Sequence, residues 1–85
     1  MPREAYTILL TPEPDGSAYN VTVPSLPGCL TWGETPEEAV AMAQEAVSLW
    51  LKSLAAHGEP IPVERTPPRL AVVDVDVPEL ASVAS

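Results

Sequence analysis

One strong helix signal begins at Thr35 and constrains the rest of the chain. Thr35 suits an N-cap, Pro36 suits the first helical position, and Glu38 completes a capping box three residues after the cap. Gly58 is typical of the position just past a helix C-terminus. We therefore expect one long helix over about Pro36 to His57.

Apolar residues recur through this segment at spacings of three and four, so one side of the helix is apolar and must be buried against another layer. The members of this stripe are Ala39, Val40, Ala43, Ala46, Val47, Trp50, Leu51 and Leu54. The chain has 85 residues, which predicts one domain over residues 1–78 and a frayed tail over residues 79–85.

Three segments before the helix have strand patterns. Ala5 to Thr11 is rich in aliphatic and β-branched residues, Tyr19 to Val23 alternates, and Cys29 to Gly33 is short and apolar. An Asp-Gly turn separates the first two segments and predicts a hairpin. We expect Gly28 and Gly33 to supply positive φ angles, at the corner and before the helix cap.

Leu70 to Val77 has the pattern of a fourth strand, with valines alternating with Asp74 and Asp76. A long helix between strands carries the chain back across the sheet, and the right-handed crossover rule makes the last strand parallel to its neighbour. The sequence therefore predicts an α+β fold with the element order βββαβ. Its single mixed four-stranded sheet would have the order 3-2-1-4, with the helix on one face.

Charge and composition narrow the classes of partner. Twelve acidic residues against four basic ones give a net charge of −8, which disfavours direct binding to nucleic-acid phosphates and favours a basic partner. The alternative is that the acidity only maintains solubility. No segment is apolar enough to span a bilayer, and a single cysteine excludes an internal disulfide. We expect a cytoplasmic protein with no membrane partner.

Few residues are candidates for chemistry. Cys29 has only His57 as a possible base, at the far end of a helix about 30 Å long. We interpret Cys29 as a small apolar residue and His57 as a residue of the helix C-terminus. Asp74 and Asp76 share a strand face but lack a third carboxylate for a metal. The sequence predicts no catalytic residue, no metal and no cofactor.

Three motifs together resemble the HicB-type antitoxin family. They are the corner V-P-S-L-P-G-C at residues 23–29, the helix start G-E-T-P-E-E-A at residues 33–39, and G-E-P-I-P at residues 58–62. The resemblance implies a partial RNase H-like fold. It also implies binding to a small, basic HicA-type toxin that cleaves mRNA, whose active site the antitoxin blocks.

Many family members continue after the last motif into a DNA-binding domain, and here we expect none. One alternative function is an orphan regulatory module that binds another protein or a small ligand. A less favoured alternative is an RNase H-like nuclease. The first predicted strand, Ala5 to Thr11, contains no acidic residue to anchor two-metal hydrolysis.

Two sets of residues are candidates for interfaces. Those for a protein partner are Pro24, Leu26, Pro27, Trp32, Glu34, Glu37 and Glu38, at and after the corner. We expect Trp32 to be partly buried. One helix covers only one sheet face and the last strand is an edge, so we also expect a homodimer or a dimer of dimers. Its candidate residues are Leu9, Val72, Asp74 and Asp76.

Overall fold

The structure, a computed structural model, describes residues 3–79. Three strands, β1 (Leu9–Pro12), β2 (Tyr19–Thr22) and β3 (Leu30–Gly33), precede one helix, α1 (Pro36–Ala56). The central strand β2 pairs antiparallel with both neighbours, so the sheet order is β1-β2-β3. The predicted α+β class is confirmed.

A tight loop joins β1 to β2. The Glu13 N–H donates to the Ala18 carbonyl at 2.8 Å, and the Gly16 N–H donates to the Glu13 carbonyl at 2.9 Å. The Ser17 N–H donates to Asp15 Oδ1 at 2.9 Å. Gly16 has a φ of 74°, which a residue without Cβ adopts at little steric cost. The predicted Asp-Gly hairpin is confirmed.

β1 begins at Leu9, later than the predicted start at Ala5. On the β2 side the next residue of the ladder would be Val23. Pro24, which follows it, has no N–H to donate. The Thr7 N–H donates instead to the side chain of Glu64, far along the chain. Residues 3–8 therefore lead into β1 without ladder bonds.

The helix bounds agree with the sequence prediction to within one residue. Thr35 is the N-cap, and its Oγ1 accepts a hydrogen bond from the Glu38 N–H at 3.0 Å. Pro36 occupies the first helical position, where its missing N–H costs nothing. Past the end at Ala56, Gly58 has a φ of 68°. Local capping chemistry thus sets both ends of α1.

The helix packs chiefly on β3 and β2, and β1 reaches the core only through the half-buried Leu10. One buried cluster joins Val21 of the central strand to Ala39 and Ala43 of the helix. The small alanine side chains allow the helix backbone to come close to the sheet. A second cluster, covered in part by Trp50 and Leu51, consists of Val23, Leu26 and Cys29.

Gly33 lets the end of β3 approach the first turn of α1. A Cβ atom at this position would lie 2.4 Å from the Ala39 nitrogen and 2.8 Å from the Glu38 carbonyl carbon. Gly28 has the predicted positive φ, 94°, but Gly33 does not. The prediction for Gly33 is therefore wrong. Close packing excludes a side chain at this position.

The predicted fourth strand, Leu70 to Val77, does not join the sheet. Residues 65–79, which we call the arm, contain no regular secondary structure and have no ladder partner among residues 3–79. The radius of gyration is 16.4 Å, against about 12 Å for a compact domain of this length. Pro67 and Pro68, which lack N–H groups, separate the arm's valines from the body of the domain. Within one chain the expected four-stranded 3-2-1-4 sheet is thus not formed, and residues 80–85 of the predicted tail lie outside the described residues.

Replacing Gly33 with alanine should destabilise the domain by about 2 kcal/mol, because the new Cβ would overlap backbone atoms of the helix. The matched control is Gly16→Ala, where nothing lies within 4 Å and only the positive φ opposes a side chain. That control should cost about 1 kcal/mol. Urea unfolding compares the two variants, and equal losses would contradict the close approach at Gly33.

Candidate functional site

The two residues considered for nucleophilic chemistry lie in unreactive settings. Cys29 is 3% exposed, and burial raises the pKa of its thiol, which opposes formation of the thiolate nucleophile. His57 follows the last turn of α1, where its Nδ1 lies 2.7 Å from the Ser53 carbonyl oxygen. The structure does not bring the thiol and the imidazole together.

The acidic residues do not gather around a metal site in residues 3–79. No group of three or more His, Cys, Asp or Glu side chains in this range is placed to hold a metal ion. Asp74 and Asp76 are exposed on the arm, and β1 contains no acidic residue.

The sheet face opposite α1 carries an exposed apolar surface. The strand registers place Leu9, Thr22 and Leu30 in one row across the sheet. Asn20 and Trp32 belong to the next row on the same face, two residues further along the strands. Leu30 is 67% exposed and Trp32 is 53% exposed. We call the surface formed by Leu9, Leu30 and Trp32 the open face. Exposed apolar side chains grouped in this way are typical of a protein interface.

The candidate partner-binding residues divide between this surface and the core. Trp32 lies on the open face and is more exposed than the sequence predicted. Pro24 and Pro27 are exposed at the corner between β2 and β3. Leu26, at the same corner, is 1% exposed and belongs to the second buried cluster. A partner can therefore reach the two prolines, whereas the Leu26 side chain packs within the domain.

Three carboxylates surround the start of α1. Glu34 lies between the end of β3 and the helix cap, and Glu37 and Glu38 occupy the first helical turn. All three are exposed, and Glu34 is two residues past Trp32 along the chain. The strand end thus carries an aromatic side chain and a concentration of negative charge close together in sequence.

A hydrogen-bonded clamp at Glu64, which sequence reasoning did not find, fixes the start of the arm. The Glu64 carboxylate accepts from the Thr7 N–H at 2.9 Å, from the Thr7 hydroxyl at 2.6 Å and from the Ser25 hydroxyl at 2.9 Å. Nearby, the Tyr6 hydroxyl donates to the Pro62 carbonyl. No local pattern marks a lone glutamate in a proline-rich segment as a clamp, because its partners are 39 and 57 residues away.

The clamp changes the acidity of its members. Hydrogen bonds from the Thr7 hydroxyl, then from the Thr7 N–H and the Ser25 hydroxyl, lower the pKa of Glu64 below its ordinary value. Burial, together with the negative charges of Glu4 and Glu64, raises the pKa of Tyr6. At neutral pH the carboxylate is therefore the acceptor and the phenol is the donor.

The structure separates the four candidate residues for self-association. Leu9 is half-buried on β1 and faces the open side of the sheet. Val72 is 92% exposed on the arm, where Asp74 and Asp76 are exposed as well. None of the three arm residues packs against the core clusters. As for membranes, residues 3–79 contain no helix of the length and apolarity needed to cross one.

Comparison with known proteins gives the family. Residues 6–84 match the family described as the HicB-like antitoxin of bacterial toxin–antitoxin systems. The chain belongs to this family, as its corner, helix-start and post-helix motifs suggest.

Three relatives have sequences similar to this chain. The UPF0150 protein Ta0767 of Thermoplasma acidophilum is 46% identical over 57 residues, covering 67% of this chain and 81% of its own length. The UPF0150 protein ssr1765 of Synechocystis is 44% identical over 59 residues, covering 69% and 73%. An uncharacterised 14.9 kDa protein from the rep-hol intergenic region of Haemophilus phage HP1 is 37% identical over 57 residues. That match covers 67% of this chain and 41% of the phage protein.

The Glu64 clamp should make stability depend on pH in one direction. A carboxylate with a lowered folded-state pKa stabilises the fold above the unfolded-state value of about 4.3, and that contribution disappears as pH falls through the lowered pKa. We expect Glu64→Gln to lower the melting temperature at pH 7, and the difference from wild type to shrink towards pH 3.

The control for this prediction is Glu45→Gln, which removes one exposed helix carboxylate and leaves Thr7 and Ser25 untouched. Thermal unfolding followed by circular dichroism at several pH values measures both variants. A Glu64→Gln deficit that stays constant from pH 7 to pH 3 would show that the clamp does not act through the ionised carboxylate.

Proposed function

We propose that the protein neutralises a small, basic, mRNA-cleaving toxin of the HicA type by covering its active site. Membership of an antitoxin family supports this, as does the net charge of −8. The observation that carries the proposal is the open face. It is an apolar surface that α1 leaves uncovered, on a chain of this antitoxin family. We also infer that the protein acts in the cytoplasm, where the mRNA substrate of such a toxin is found.

The open face offers the contacts expected of an interface centre. Trp32 and Leu30 project from the same side of β3 and expose large apolar areas. Aromatic side chains are enriched among residues that contribute most to binding, and they are commonly ringed by polar groups that exclude water. Thr22 and Asn20 provide such polar groups on the neighbouring strand.

The carboxylates at the start of α1 supply charge complementarity. A toxin that binds RNA needs a positively charged surface for the phosphates, and an acidic protein surface competes for it. Glu34, Glu37 and Glu38 are exposed and follow Trp32 along the chain. Their charge attracts the toxin before contact and raises the association rate.

Two other functions have less support. An orphan module that binds a protein or small ligand would use the same open face, and it differs only in the absence of a toxin. A nuclease of RNase H type would need acidic residues on the first strand, and β1 has none. We therefore propose that the protein is a non-enzymatic binding protein and needs no cofactor.

Trp32→Ala should weaken binding to a purified HicA-type toxin by tenfold or more, since truncating a central aromatic anchor commonly costs about 2 kcal/mol. The matched control is Leu49→Ala, because Leu49 is 60% exposed and lies on the outer surface of α1. That variant should bind like wild type. Isothermal titration calorimetry gives the affinities.

Cleavage of an RNA substrate by the same toxin tests the functional consequence. Wild type and Leu49→Ala should suppress cleavage at equimolar ratio, whereas Trp32→Ala should need excess protein. Equal inhibition by all three would place the toxin elsewhere on the molecule. Failure of wild type to bind any HicA-type toxin would favour the orphan module, and Mg²⁺-dependent cleavage by the protein alone would restore the nuclease.

Association with the toxin should slow as salt rises. Screening between low and physiological ionic strength weakens long-range attraction but has little effect on packed apolar contacts. We expect the triple variant Glu34→Gln/Glu37→Gln/Glu38→Gln to associate more slowly at low salt and to show a shallower salt dependence, with a dissociation rate close to wild type. Surface plasmon resonance measures both rates. A wild-type association rate independent of salt would mean that the acidity serves only solubility.

A further inference from the structure

An apolar groove runs between the lead-in to β1 and the uncovered flank of α1. It has a volume of about 620 Å³, and its lining includes Tyr6, Ile8, Val40, Val47 and Leu51. The groove exists because the helix packs mainly on β3 and β2 and covers the β1 side of the sheet only in part. Val40 is 50% exposed there, so part of the helix stripe that the sequence predicts to be buried is not covered by its own chain.

The floor of the groove ends at a free strand edge. β1 pairs only with β2, and its other edge has no ladder partner among residues 3–79. An unpaired edge beside an apolar groove has room for one more strand, whose backbone would bond to β1 while alternate side chains fill the groove.

The arm has the composition that this position requires. In a strand conformation Val73, Val75 and Val77 would project from one side of the arm and Asp74 and Asp76 from the other, because successive side chains alternate. Val73 and Val75 are 79% and 73% exposed, so these valines pack against almost nothing in one chain. Exposing them to water is unfavourable, and burying them in an apolar groove relieves that cost.

The clamp at Glu64 prevents the arm from filling the groove of its own chain by running on alongside β1. Glu64 is bonded to Thr7, and β1 ends at Pro12, five positions further along (12 − 7). Leu70 is six positions after Glu64 (70 − 64), or about 20 Å along an extended chain. A chain that continued beside its own β1 would therefore pass the end of that strand before its valines began. It would place prolines 67 and 68, which cannot donate to a ladder, at the pairing positions.

We propose that two copies of this chain exchange arms, each placing Leu70–Val77 along the free β1 edge of the other as a fourth strand. Val73, Val75 and Val77 enter the partner's groove beneath Val40, and the two aspartates face solvent on the opposite side. The exchange completes the strand order 3-2-1-4 with a strand from a second copy.

The equal number of arms and grooves favours a second copy of the chain as the occupant of the groove. Each chain offers one arm and one groove, so a two-fold pair satisfies both with nothing left over, and such closed pairs are the commonest assembly. This inference does not depend on the antitoxin role, because it uses the groove and the β1 edge and leaves Leu30 and Trp32 of the open face uncovered.

Substitutions on the two sides of the arm test the exchange directly. Val73→Asp puts a charge on the side that enters the groove, and Val72→Asp puts the same charge on the neighbouring residue of the other side. In sedimentation equilibrium at micromolar concentration, wild type and Val72→Asp should have about twice the 9.0 kDa chain mass, and Val73→Asp should be monomeric. Since the arm is exposed in the single chain, Val73→Asp should keep the helical signal in far-UV circular dichroism and lose only the contribution of the exchanged strand.

The groove is tested with Val40→Glu, which should also give a monomer. Its control is Leu49→Glu on the outer surface of α1, which should remain a dimer. Mixing the two monomeric variants provides the sharpest result. Val73→Asp retains an intact groove and Val40→Glu retains an intact arm, so the equimolar mixture can form one good exchange site and should recover dimer.

Other arrangements give different outcomes in the same experiment. If arms pair only with each other, Val40→Glu stays dimeric and the proposal fails. If the arm folds back on its own chain or binds only the toxin, wild type is monomeric across the concentration range and the proposal fails. A Val73→Asp variant that remains dimeric, or a mixture that recovers no dimer, also overturns it. None of these results bears on toxin binding, which the Trp32→Ala comparison measures separately.

Discussion

The close packing of α1 on the centre and far edge of the sheet is the contact from which the other features of the structure follow. Ala39 and Ala43 lie against Val21, and Gly33 leaves no Cβ between β3 and the first helical turn. A larger residue at any of these positions would lift the helix away from the strands. Because the helix is held this close to β3 and β2, it covers β1 only in part.

Two apolar surfaces remain uncovered around this contact. The sheet face opposite the helix keeps Leu30 and Trp32 exposed, since residues 3–79 supply no second layer to cover them. The flank of the helix beside β1 becomes an apolar groove lined by Tyr6, Ile8 and Val47. A small domain buries a limited share of its surface, so binding to other chains is a natural way to cover the rest. We assign the open face to a toxin and the groove to a second copy.

Elements stabilised by neighbouring residues were predictable from the sequence. The helix bounds follow from Thr35, Pro36 and Gly58, and the hairpin follows from Gly16 and its neighbours, because capping and turn chemistry act within a few residues. The fourth strand was not predictable in the same way. The alternation in Leu70 to Val77 indicates an extended chain, but whether that chain finds a ladder depends on the distant bond between Glu64 and Thr7.

The interface residues show the same limit. Sequence reasoning selected Leu26 and Trp32 together because both are apolar residues at or just after one corner, yet Leu26 is in the core and Trp32 is on the open face. Strand register places Trp32 on the open face, and a shift of one residue would reverse its side, whereas the turn between β2 and β3 brings Leu26 into the second buried cluster. The local sequence around this corner does not fix that register. For Gly33 the sequence predicts a positive φ angle. In the structure, close packing against Ala39 is what excludes a side chain at this position.

We propose that a strand from another copy completes the sheet of this protein. Isotope-filtered nuclear Overhauser spectroscopy on an equimolar mixture of ¹³C-labelled and unlabelled chains tests this exchange, because the experiment detects only contacts between different molecules. Arm exchange should give intermolecular cross-peaks from the methyl groups of Val73 and Val75 to those of Val47 and Leu51. If the filtered spectrum lacks these cross-peaks, the exchange is ruled out, whether or not an unfiltered spectrum shows the same contacts within one chain.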